Sequence, residues 1–286
     1  MSGATLSLSY PHICQSWLGS CLEVLLPTAC VVCERPLRGA LICYRCRPAL
    51  PDLRSIQHNR CTQCFTVASA SRAGESLCDV CVLHPPMLDS IRFLWEYHGL
   101  ARDLIRTMKY RPSVALARLG GALLCDALPH IFAHTSWDLI VPIPASHAMF
   151  RRRLFHPCTE LAQASSKRYS IAIRDALIHA TKRAPQASLD HAARLRNLTH
   201  LFKVSRPHVV QGKHILLIED VITTGATSAA AAYALRNAGA TQVDILALAR
   251  TQVWSRFRAQ LGRLPLFKKG PVTCSDGPLG TLCGYA

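Results

Sequence analysis

Ile215–Thr227 reads ILLIEDVITTGAT, and this stretch decides the fold. Its first four residues are all apolar, as expected of a strand that a parallel sheet buries on both faces. Glu219 and Asp220 follow, and a turn rich in threonine and glycine then leads into the alanine-rich Ser228–Asn237. That segment predicts a helix, with Gly239 as its stop signal. The order of strand, turn and helix predicts an α/β unit.

The rest of the chain supplies the other elements of such a sheet. The remaining predicted helices are Leu100–Tyr110, Val114–Phe132 and a segment from after Arg153 to about Tyr169. The predicted strands are Ile91–Tyr97, Asp138–Pro144, His214–Ile218 and Val243–Ala249. Strand–helix–strand alternation from Asp138 onward predicts a parallel, doubly wound sheet. In such sheets ligands bind beyond the carboxyl ends of the strands.

The turn after the acidic pair has the composition of an anion-binding loop. Backbone N–H groups of Thr223–Thr227 and the amino end of the next helix would form a cradle for a phosphate. Gly225 would let the backbone approach closely. Glu219 and Asp220 can accept hydrogen bonds from ribose hydroxyls, so the predicted ligand is a phosphorylated ribose. The glycine patterns of a Walker loop and of a dinucleotide fingerprint are both missing. The alternative is an ordinary turn with acidic caps.

Eight of the 14 cysteines form four C-x-x-C pairs near the amino terminus. These candidate metal ligands are Cys30, Cys33, Cys43, Cys46, Cys61, Cys64, Cys78 and Cys81. Two residues between thiols let both sulfurs bind one metal ion, so the pairs predict two structural zinc sites of four cysteines each. The first two pairs enclose nine residues and the next two enclose thirteen, enough for a short hairpin in each case, so the prediction is tandem pairing, with interleaved pairing as the alternative. Disulfides and a redox dithiol are the competing interpretations, and the expected cytoplasmic location argues against disulfides.

The chain has 286 residues, half of them apolar, and a formal net charge of +16. Residues 1–88 carry +2, residues 89–250 carry +10 and residues 251–286 carry +4. The positive second part suits a phosphorylated small molecule or a nucleic-acid backbone, and a solvated basic face is the alternative. Residues 1–22 lack charges, but polar residues interrupt them and no secretory pattern is present. We therefore expect a cytoplasmic protein.

Residues 219–227 closely resemble the phosphoribosyl pyrophosphate loop of type I phosphoribosyltransferases, in which two acidic residues and a variable pair precede T-T-G-x-T. Together with the cysteine pairs, the chain resembles the ComF family of competence-associated, phosphoribosyltransferase-like proteins over about residues 27–250. The other segments that carry this resemblance are Leu26-Pro27, Met108-Lys109-Tyr110-Arg111, Val141-Pro142-Ile143-Pro144, Gln186 with Leu189, and Arg196-Asn197-Leu198. We therefore expect a leader (1–26), a double zinc ribbon (27–86), a type I phosphoribosyltransferase-like domain with a parallel sheet (87–250) and a basic tail (251–286).

The resemblance also implies roles for individual residues. Glu219 and Asp220 would bind the ribose hydroxyls. The 5′-phosphate would be bound by Thr223, Thr224, Gly225, Ala226 and Thr227. The turn after Asp138–Pro144 would face the pyrophosphate, and Mg²⁺ would bridge pyrophosphate and ribose oxygens. The candidate cations for the leaving charge are Lys109, Arg111 and Arg151 to Arg153, and for each of these a solvated surface charge is the alternative.

The chain departs from the family pattern just after that turn. Arg153-Leu154-Phe155-His156-Pro157 stands where the family commonly has R-G-F-N-Q. The lost polar groups make ligand binding a firmer expectation than turnover. Three functions follow. The first is a protein of competence and DNA uptake that binds phosphoribosyl pyrophosphate, with single-stranded DNA and a DNA-uptake helicase as candidate partners. The second is a true transferase with an unidentified acceptor, and the third is a regulator that senses phosphoribosyl pyrophosphate.

Overall fold

The computed structural model describes residues 28–30, 32–37, 42–49, 60–66, 77–83, 88–110, 113–132, 136–145, 155–180 and 201–251. The expected leader lies outside these ranges, as does the expected tail apart from Thr251. Several residues that carry the family resemblance also lie outside them, namely Arg111, Arg153, Gln186, Leu189 and Arg196-Asn197-Leu198. The helices and strands of the fold lie within the described ranges.

The amino-terminal region consists of short elements around the cysteines. Strands β1 (Thr28–Ala29) and β2 (Pro36–Leu37) pair antiparallel, and a single 3-10 turn spans Arg47–Ala49. Cys78 directly precedes helix α1 (Asp79–Leu83), and Cys81 lies within it. Elements this short bury little apolar surface, so the region depends on its cysteines and on the larger domain for stability.

Four parallel strands form the central sheet: β3 (Ser90–Glu96), β4 (Leu139–Pro142), β7 (His214–Ile222) and β8 (Gln242–Arg250). Their order across the sheet is β3-β8-β7-β4. Leu217 of β7 and Ile245 of β8 are completely buried because strands and helices surround these two central strands. This burial is the reason for their continuous apolar runs. The predicted parallel α/β sheet is confirmed, and the strand predicted at Ile91–Tyr97 is one of its edges.

Four of the helices follow the predicted segments closely, and the short helix at Pro207–Val210 was not predicted. These helices are α2 (Gly99–Tyr110), α3 (Val114–Ile131), α4 (Pro157–Tyr169), the short α5 (Pro207–Val210) and α6 (Ala226–Asn237). A Cβ on Gly121 of α3 would lie 2.7 Å from the Leu161 carbonyl oxygen of α4, so the absence of a side chain there lets the two helices touch. By length and composition α3 could cross a membrane, but 61% of it is buried inside the protein, as in a core helix.

A second, two-stranded sheet comes from the part of the sequence with no clear period. Strands β5 (Leu177–His179) and β6 (Phe202–Val204) pair antiparallel and contact α6. Upstream of β5, Ile173 forms a single parallel bridge with Ile140 of β4. The hairpin therefore lies against the same helix that begins at the acidic and glycine-containing loop.

Strand β7 is longer than predicted. It ends at Ile222 rather than at Ile218, because its pairing with β8 continues through Val221 and Ile222. Helix α6 begins at Ala226, two residues before the predicted start. The acidic pair therefore lies inside the strand instead of after it, which changes where the two carboxylates point.

Candidate functional site

The loop between β7 and α6 has the geometry of an anion cradle. Gly225 adopts φ 75° and ψ 3°, a left-handed conformation that residues with a Cβ disfavour, and it is the N-cap of α6. Glycine has no side chain with which to cap the helix, so the first N–H groups of α6 are available to an external acceptor. The Ala226 N–H lies 3.4 Å from Thr224 Oγ1, at the long end of hydrogen-bond distances.

Glu219 is the more deeply buried of the two acidic residues. Its side chain is directed to the start of α6, where the Ser228 hydroxyl donates to Glu219 Oε2 at 2.5 Å. Burial raises the pKa of Glu219 to about 8, against the lowering effect of the bond from Ser228. In the folded protein this carboxyl therefore keeps its proton far above the usual range for glutamate, and a bound cation or hydroxyl donor would be needed to favour the carboxylate.

Asp220 points to the other side of the sheet, because successive side chains of a strand face in opposite directions. Its Oδ1 lies 2.9 Å from Lys109 Nζ and accepts from the Val221 N–H at 2.7 Å. Lys109 lies in the last turn of α2, so the sequence segment around it meets the loop in space. Lys109, a candidate cation from the sequence, therefore pairs with Asp220, whereas Glu219 contacts a hydroxyl.

Two histidines hold the turn after β4, which we expected to face a pyrophosphate. His156 Nε2 accepts from the Ala145 N–H at 2.9 Å, and His179 Nε2 lies 3.1 Å from the Pro144 carbonyl oxygen. At the other ring nitrogen, the Thr159 N–H donates to Nδ1 at 3.2 Å and so caps α4, and Thr159 Oγ1 lies 3.0 Å from the same atom. A neutral imidazole accepts at one of its two nitrogens and carries its proton on the other. Burial lowers the pKa of His156, outweighing the raising effect of Asp175 and Asp220, and so favours this neutral form.

The departure from the family pattern therefore has a structural consequence. His156 is the N-cap of α4, and Pro157 occupies the first helical position, where its missing N–H has no cost. The imidazole of His156 reaches the turn after β4 and accepts a hydrogen bond from the Ala145 N–H. Arg153, predicted as a ligand-binding cation, lies outside the described residues, as do Arg111 and Arg151.

The eight cysteines form two separate clusters of four. We call Cys30, Cys33, Cys43 and Cys46 the first cluster, and Cys61, Cys64, Cys78 and Cys81 the second cluster; within each, the Sγ atoms all lie within 4.8 Å of one another. This arrangement selects the tandem pairing over the interleaved one. The structure shows no disulfide among the described cysteines.

The sulfur spacing suits a tetrahedral metal ion. Zinc–sulfur bonds of about 2.3 Å place the corners of a tetrahedron roughly 3.8 Å apart. The Sγ–Sγ distances are 3.7 Å for Cys33–Cys43, 3.6 Å for Cys64–Cys78 and 3.3 Å for Cys61–Cys81. Two closed clusters of four cysteines that could hold structural metal ions are therefore present.

Backbone N–H groups favour thiolates in these clusters. The Cys43 N–H donates to Cys30 Sγ at 3.4 Å, and the Cys64 N–H donates to Cys61 Sγ at 3.5 Å. Burial raises the pKa of Cys30, but backbone donors including Cys43 outweigh it and lower that pKa to about 6. Thiolates are the form of cysteine that binds metals.

Sequence reasoning missed four residues that shape the site: His156, His179, Arg250 and Thr251. The two histidines hold the turn after β4, and Thr251 Oγ1 donates to the Thr223 carbonyl oxygen of the loop at 3.1 Å. His156 lies at a helix start before a proline, a local pattern that indicates a cap. The other three act through contacts between distant parts of the chain, for which the sequence carries no local pattern.

Comparison with known proteins agrees with this geometry. The phosphoribosyl transferase domain family matches residues 134–255, which include β4, β7, α6 and β8. The DNA utilization protein YhgH of Escherichia coli (strain K12) is 30% identical over 233 residues, covering 79% of this chain and 98% of that protein. The protein of the same name in Salmonella typhimurium (strain LT2) is 30% identical over 236 residues, with the same coverage.

Solved structures resemble the chain more distantly. Adenine phosphoribosyl transferase from Trypanosoma brucei gives a TM-score of 0.34 at 10% identity, covering 67% of this chain and 93% of that chain. Glutamine phosphoribosylpyrophosphate amidotransferase from B. subtilis gives 0.33 at 20% identity, covering 46% of this chain and 25% of that chain. The loop, the two cysteine clusters and the relatives matched over nearly their whole length lead to one conclusion: the chain belongs to the ComF family of phosphoribosyltransferase-like proteins.

Proposed function

We propose that this protein binds phosphoribosyl pyrophosphate with Mg²⁺ at the carboxyl end of β7. The observation that carries the proposal is that the acidic pair of β7 lies just before Gly225, and that Gly225 leaves the amino end of α6 open. The N–H groups at Ala226 and Thr227 would bind the 5′-phosphate, because a helix amino end carries partial positive charge. Asp220 would accept hydrogen bonds from the ribose hydroxyls.

The second phosphate group of the ligand has a separate place to bind. The turn at Pro144 and Ala145 is held in position by His156 and His179, next to the sheet edge at which β4 and β7 pair. Mg²⁺, when bound with the ligand, would neutralise phosphate charge. Lys109 forms an ion pair with Asp220. If the ribose took the place of Lys109 beside Asp220, the ammonium group of Lys109 would turn toward the ligand.

We propose structural zinc for both cysteine clusters. Eight thiol ligands, near-tetrahedral sulfur spacing and closed coordination support this identity over a catalytic metal. Each ion would hold its two knuckles together, because the short strands and turns of this region bury too little apolar surface on their own.

We further propose that the protein acts in cytoplasmic handling of DNA during uptake, with single-stranded DNA and a helicase as partners. The relatives named DNA utilization proteins support this setting. The chain's own support is the +10 charge of residues 89–250 and an exposed aromatic residue on the first cluster. Tyr44 is 74% exposed, and Arg45 Nε donates to its hydroxyl at 3.1 Å. Bases stack on such aromatic side chains of zinc knuckles.

Calorimetric titration with phosphoribosyl pyrophosphate and Mg²⁺ tests the ligand. The wild type should bind, and Asp220→Asn should weaken binding by at least about tenfold, since a charge-assisted hydrogen bond contributes about 1.5–3 kcal/mol. Asp126→Asn is the matched control, because Asp126 also pairs with a basic residue, Arg168, at 3.0 Å but lies on α3. A folded wild type that gives no heat of binding would refute the proposal.

A second assay separates binding from transfer. A true phosphoribosyltransferase releases pyrophosphate when an acceptor is present, whereas a binding protein retains the intact ligand. We expect binding without pyrophosphate release in the absence of an acceptor. Release on addition of a nucleobase mixture would favour the transferase over the binding protein.

A further inference from the structure

Arg250, the last residue of β8, connects the sheet to the second cluster. One guanidinium nitrogen, Nη1, donates to the Cys64 carbonyl oxygen at 3.0 Å and to Thr66 Oγ1 at 2.8 Å. Thr66 Oγ1 in turn lies 2.9 Å from Cys64 Sγ, a proposed metal ligand. The side chain of Arg250 thus contacts the knuckle that holds the second metal ion.

Moving the buried Arg250 side chain away from its partners would cost free energy. Arg250 is only 3% exposed, and its guanidinium lies 4.3 Å from the centroid of the Phe93 ring. The other terminal nitrogen reaches Glu96 Oε1 at 3.3 Å, while Nε has no partner among the described residues. A buried charge with few acceptors depends strongly on each of them. Loss of the Cys64 and Thr66 acceptors would therefore drive the side chain to a new position.

The next residue, Thr251, holds the loop between β7 and α6 (residues 223–225), which we call the phosphate loop. Its N–H donates to the Ile222 carbonyl oxygen at 3.0 Å, and its hydroxyl donates to the Thr223 carbonyl oxygen at 3.1 Å. The backbone between the Arg250 and Thr251 side chains is also held in place, because the Arg250 carbonyl oxygen accepts from the Tyr97 N–H at 2.8 Å. Two adjacent residues thus join the second cluster to the start of the loop.

We infer that Arg250 and Thr251 are positioning residues that couple metal occupancy of the second cluster to the conformation of the phosphate loop. An ordered second cluster keeps Arg250 in place, Thr251 then holds Thr223, and the N–H groups after Gly225 stay aligned for a phosphate. The inference deepens the proposed function, since it rests on the proposed zinc and phosphoribosyl pyrophosphate sites. Thermodynamic linkage makes the effect reciprocal, so a ligand in the loop should also retain the metal more firmly.

The first test uses two threonine variants that leave every cysteine and the loop itself intact. Thr66→Val removes the acceptor on the cluster side, and Thr251→Val removes the donor on the loop side. Each should weaken binding of phosphoribosyl pyrophosphate with Mg²⁺ by about fivefold, the low end of usual coupling between sites. Thr107→Val is the matched control, because the Thr107 hydroxyl also donates to a backbone carbonyl oxygen, at 2.9 Å within α2. Ligand affinity equal to wild type in both variants would overturn the inference.

Amide hydrogen exchange provides a measurement that needs no ligand. Exchange at residues 222–228 should rise in Thr66→Val although the substitution lies on the cluster side, and zinc content should stay at the wild-type value. A merely local role for Thr66 would raise exchange near Cys64 alone, and that result would refute the coupling. If the wild type binds no phosphoribosyl pyrophosphate, the proposed function fails, whereas this exchange experiment still decides the coupling.

The reciprocal experiment follows zinc transfer to a chromogenic chelator. Adding phosphoribosyl pyrophosphate and Mg²⁺ to the wild type should raise the equilibrium affinity for one zinc ion by about fivefold, measured by competition with the chelator, and leave the other unchanged. The protection should disappear in Thr251→Val. Equal protection of both ions, or protection that persists in Thr251→Val, would contradict a path through Arg250 and Thr251.

Discussion

The two cysteine clusters share the C-x-x-C ligand motif but have different surroundings. In the first cluster Cys30 and Cys43 are buried but lie outside the hydrophobic core of the larger domain, Cys33 is exposed and Cys46 half-buried, and the neighbouring Tyr44 extends into solvent. In the second cluster Cys61 and Cys64 are 0% and 1% exposed and belong to the hydrophobic core of the larger domain. Half-buried Val32 and Ile42 of the first cluster pack at the margin of that core.

The difference shows that identical metal-binding motifs can have unequal roles. The second cluster lies under β3 and β8, where Phe65 packs edge-on against Phe93 at 5.6 Å and the Gln63 carbonyl oxygen accepts from the Ile91 N–H. It is part of the structure that supports the sheet. The first cluster presents charged and aromatic side chains outward, as a contact surface would. We therefore expect disruption of the second cluster to damage the fold and disruption of the first cluster to damage recognition.

Removing ligands from each cluster gives the largest expected difference. Cys61→Ser/Cys64→Ser should destabilise the whole phosphoribosyltransferase-like domain by several kcal/mol, because a structural metal site contributes its binding energy to folding. Cys30→Ser/Cys33→Ser should unfold its own knuckles and leave the main thermal transition close to that of wild type. Circular dichroism melting, with zinc content measured in parallel, checks both variants. Equal losses in the two variants would contradict the comparison.

Replacing Arg250 isolates the contact between the second cluster and the sheet. Arg250→Met should reduce the free energy of unfolding by about 3 kcal/mol, because it leaves half-buried Glu96 and the knuckle acceptors without their donor. Arg118→Met is the matched control: Arg118 also pairs with a glutamate, Glu160, at 3.0 Å, but its side chain is 65% exposed. The control should cost less than about 1 kcal/mol. Urea titration measures both values, and a loss at Arg250 no larger than at Arg118 would disprove the anchoring role.

The features that could be predicted from sequence are those that local chemistry dictates. The buried run before Glu219, the glycine turn and the C-x-x-C pairs each place their chemistry within a few residues, and the structure confirms the fold and the clusters built from them. The spacing of the cysteine pairs favours the tandem pairing, which the structure confirms, but it leaves the interleaved pairing possible. Three-dimensional proximity decides between them.

The features that could not be predicted depend on distant contacts. Strand β7 extends past Glu219 because β8 continues to pair with it, and no local pattern states where a parallel ladder ends. That extension sends Glu219 and Asp220 to opposite sides of the sheet. Arg250 meets Cys64 across 186 positions of sequence, so only the folded chain reveals that the two motifs are in contact.

The Glu219 carboxyl makes the free energy of unfolding depend on pH, and this dependence can be compared in variants of the two clusters. Its pKa of about 8 in the folded protein lies above the ordinary value of 4.5, so its proton stabilises the native state at low pH. That contribution is complete below about pH 4.5 and is lost as pH rises toward about 8. The stability of wild type relative to Glu219→Gln should therefore fall by a few kcal/mol over this range.

Urea titrations of both proteins at several pH values test this sign. Glu160→Gln is the control, since that carboxyl pairs with the exposed Arg118 side chain. A difference between wild type and Glu219→Gln that stays constant with pH would mean that Glu219 is ionised in the folded protein. Loss of the first cluster should leave the titration unchanged, and loss of Thr66 as a partner of Arg250 should shift it, because Arg250 and Thr251 connect the second cluster to the loop.

The smallest expected effect concerns the outward face of the first cluster. Tyr44→Ala should weaken binding to single-stranded DNA by about fivefold, since one stacked base contributes about 1–3 kcal/mol. Tyr169→Ala is a matched control, because Arg168 lies 5.9 Å from the Tyr169 ring much as Arg45 lies 5.7 Å from the Tyr44 ring. Fluorescence anisotropy with a labelled oligonucleotide measures both variants, and phosphoribosyl pyrophosphate affinity should be the same in both. If Tyr44→Ala binds DNA as tightly as Tyr169→Ala, the first cluster is not the DNA contact and its difference from the second cluster must serve another partner.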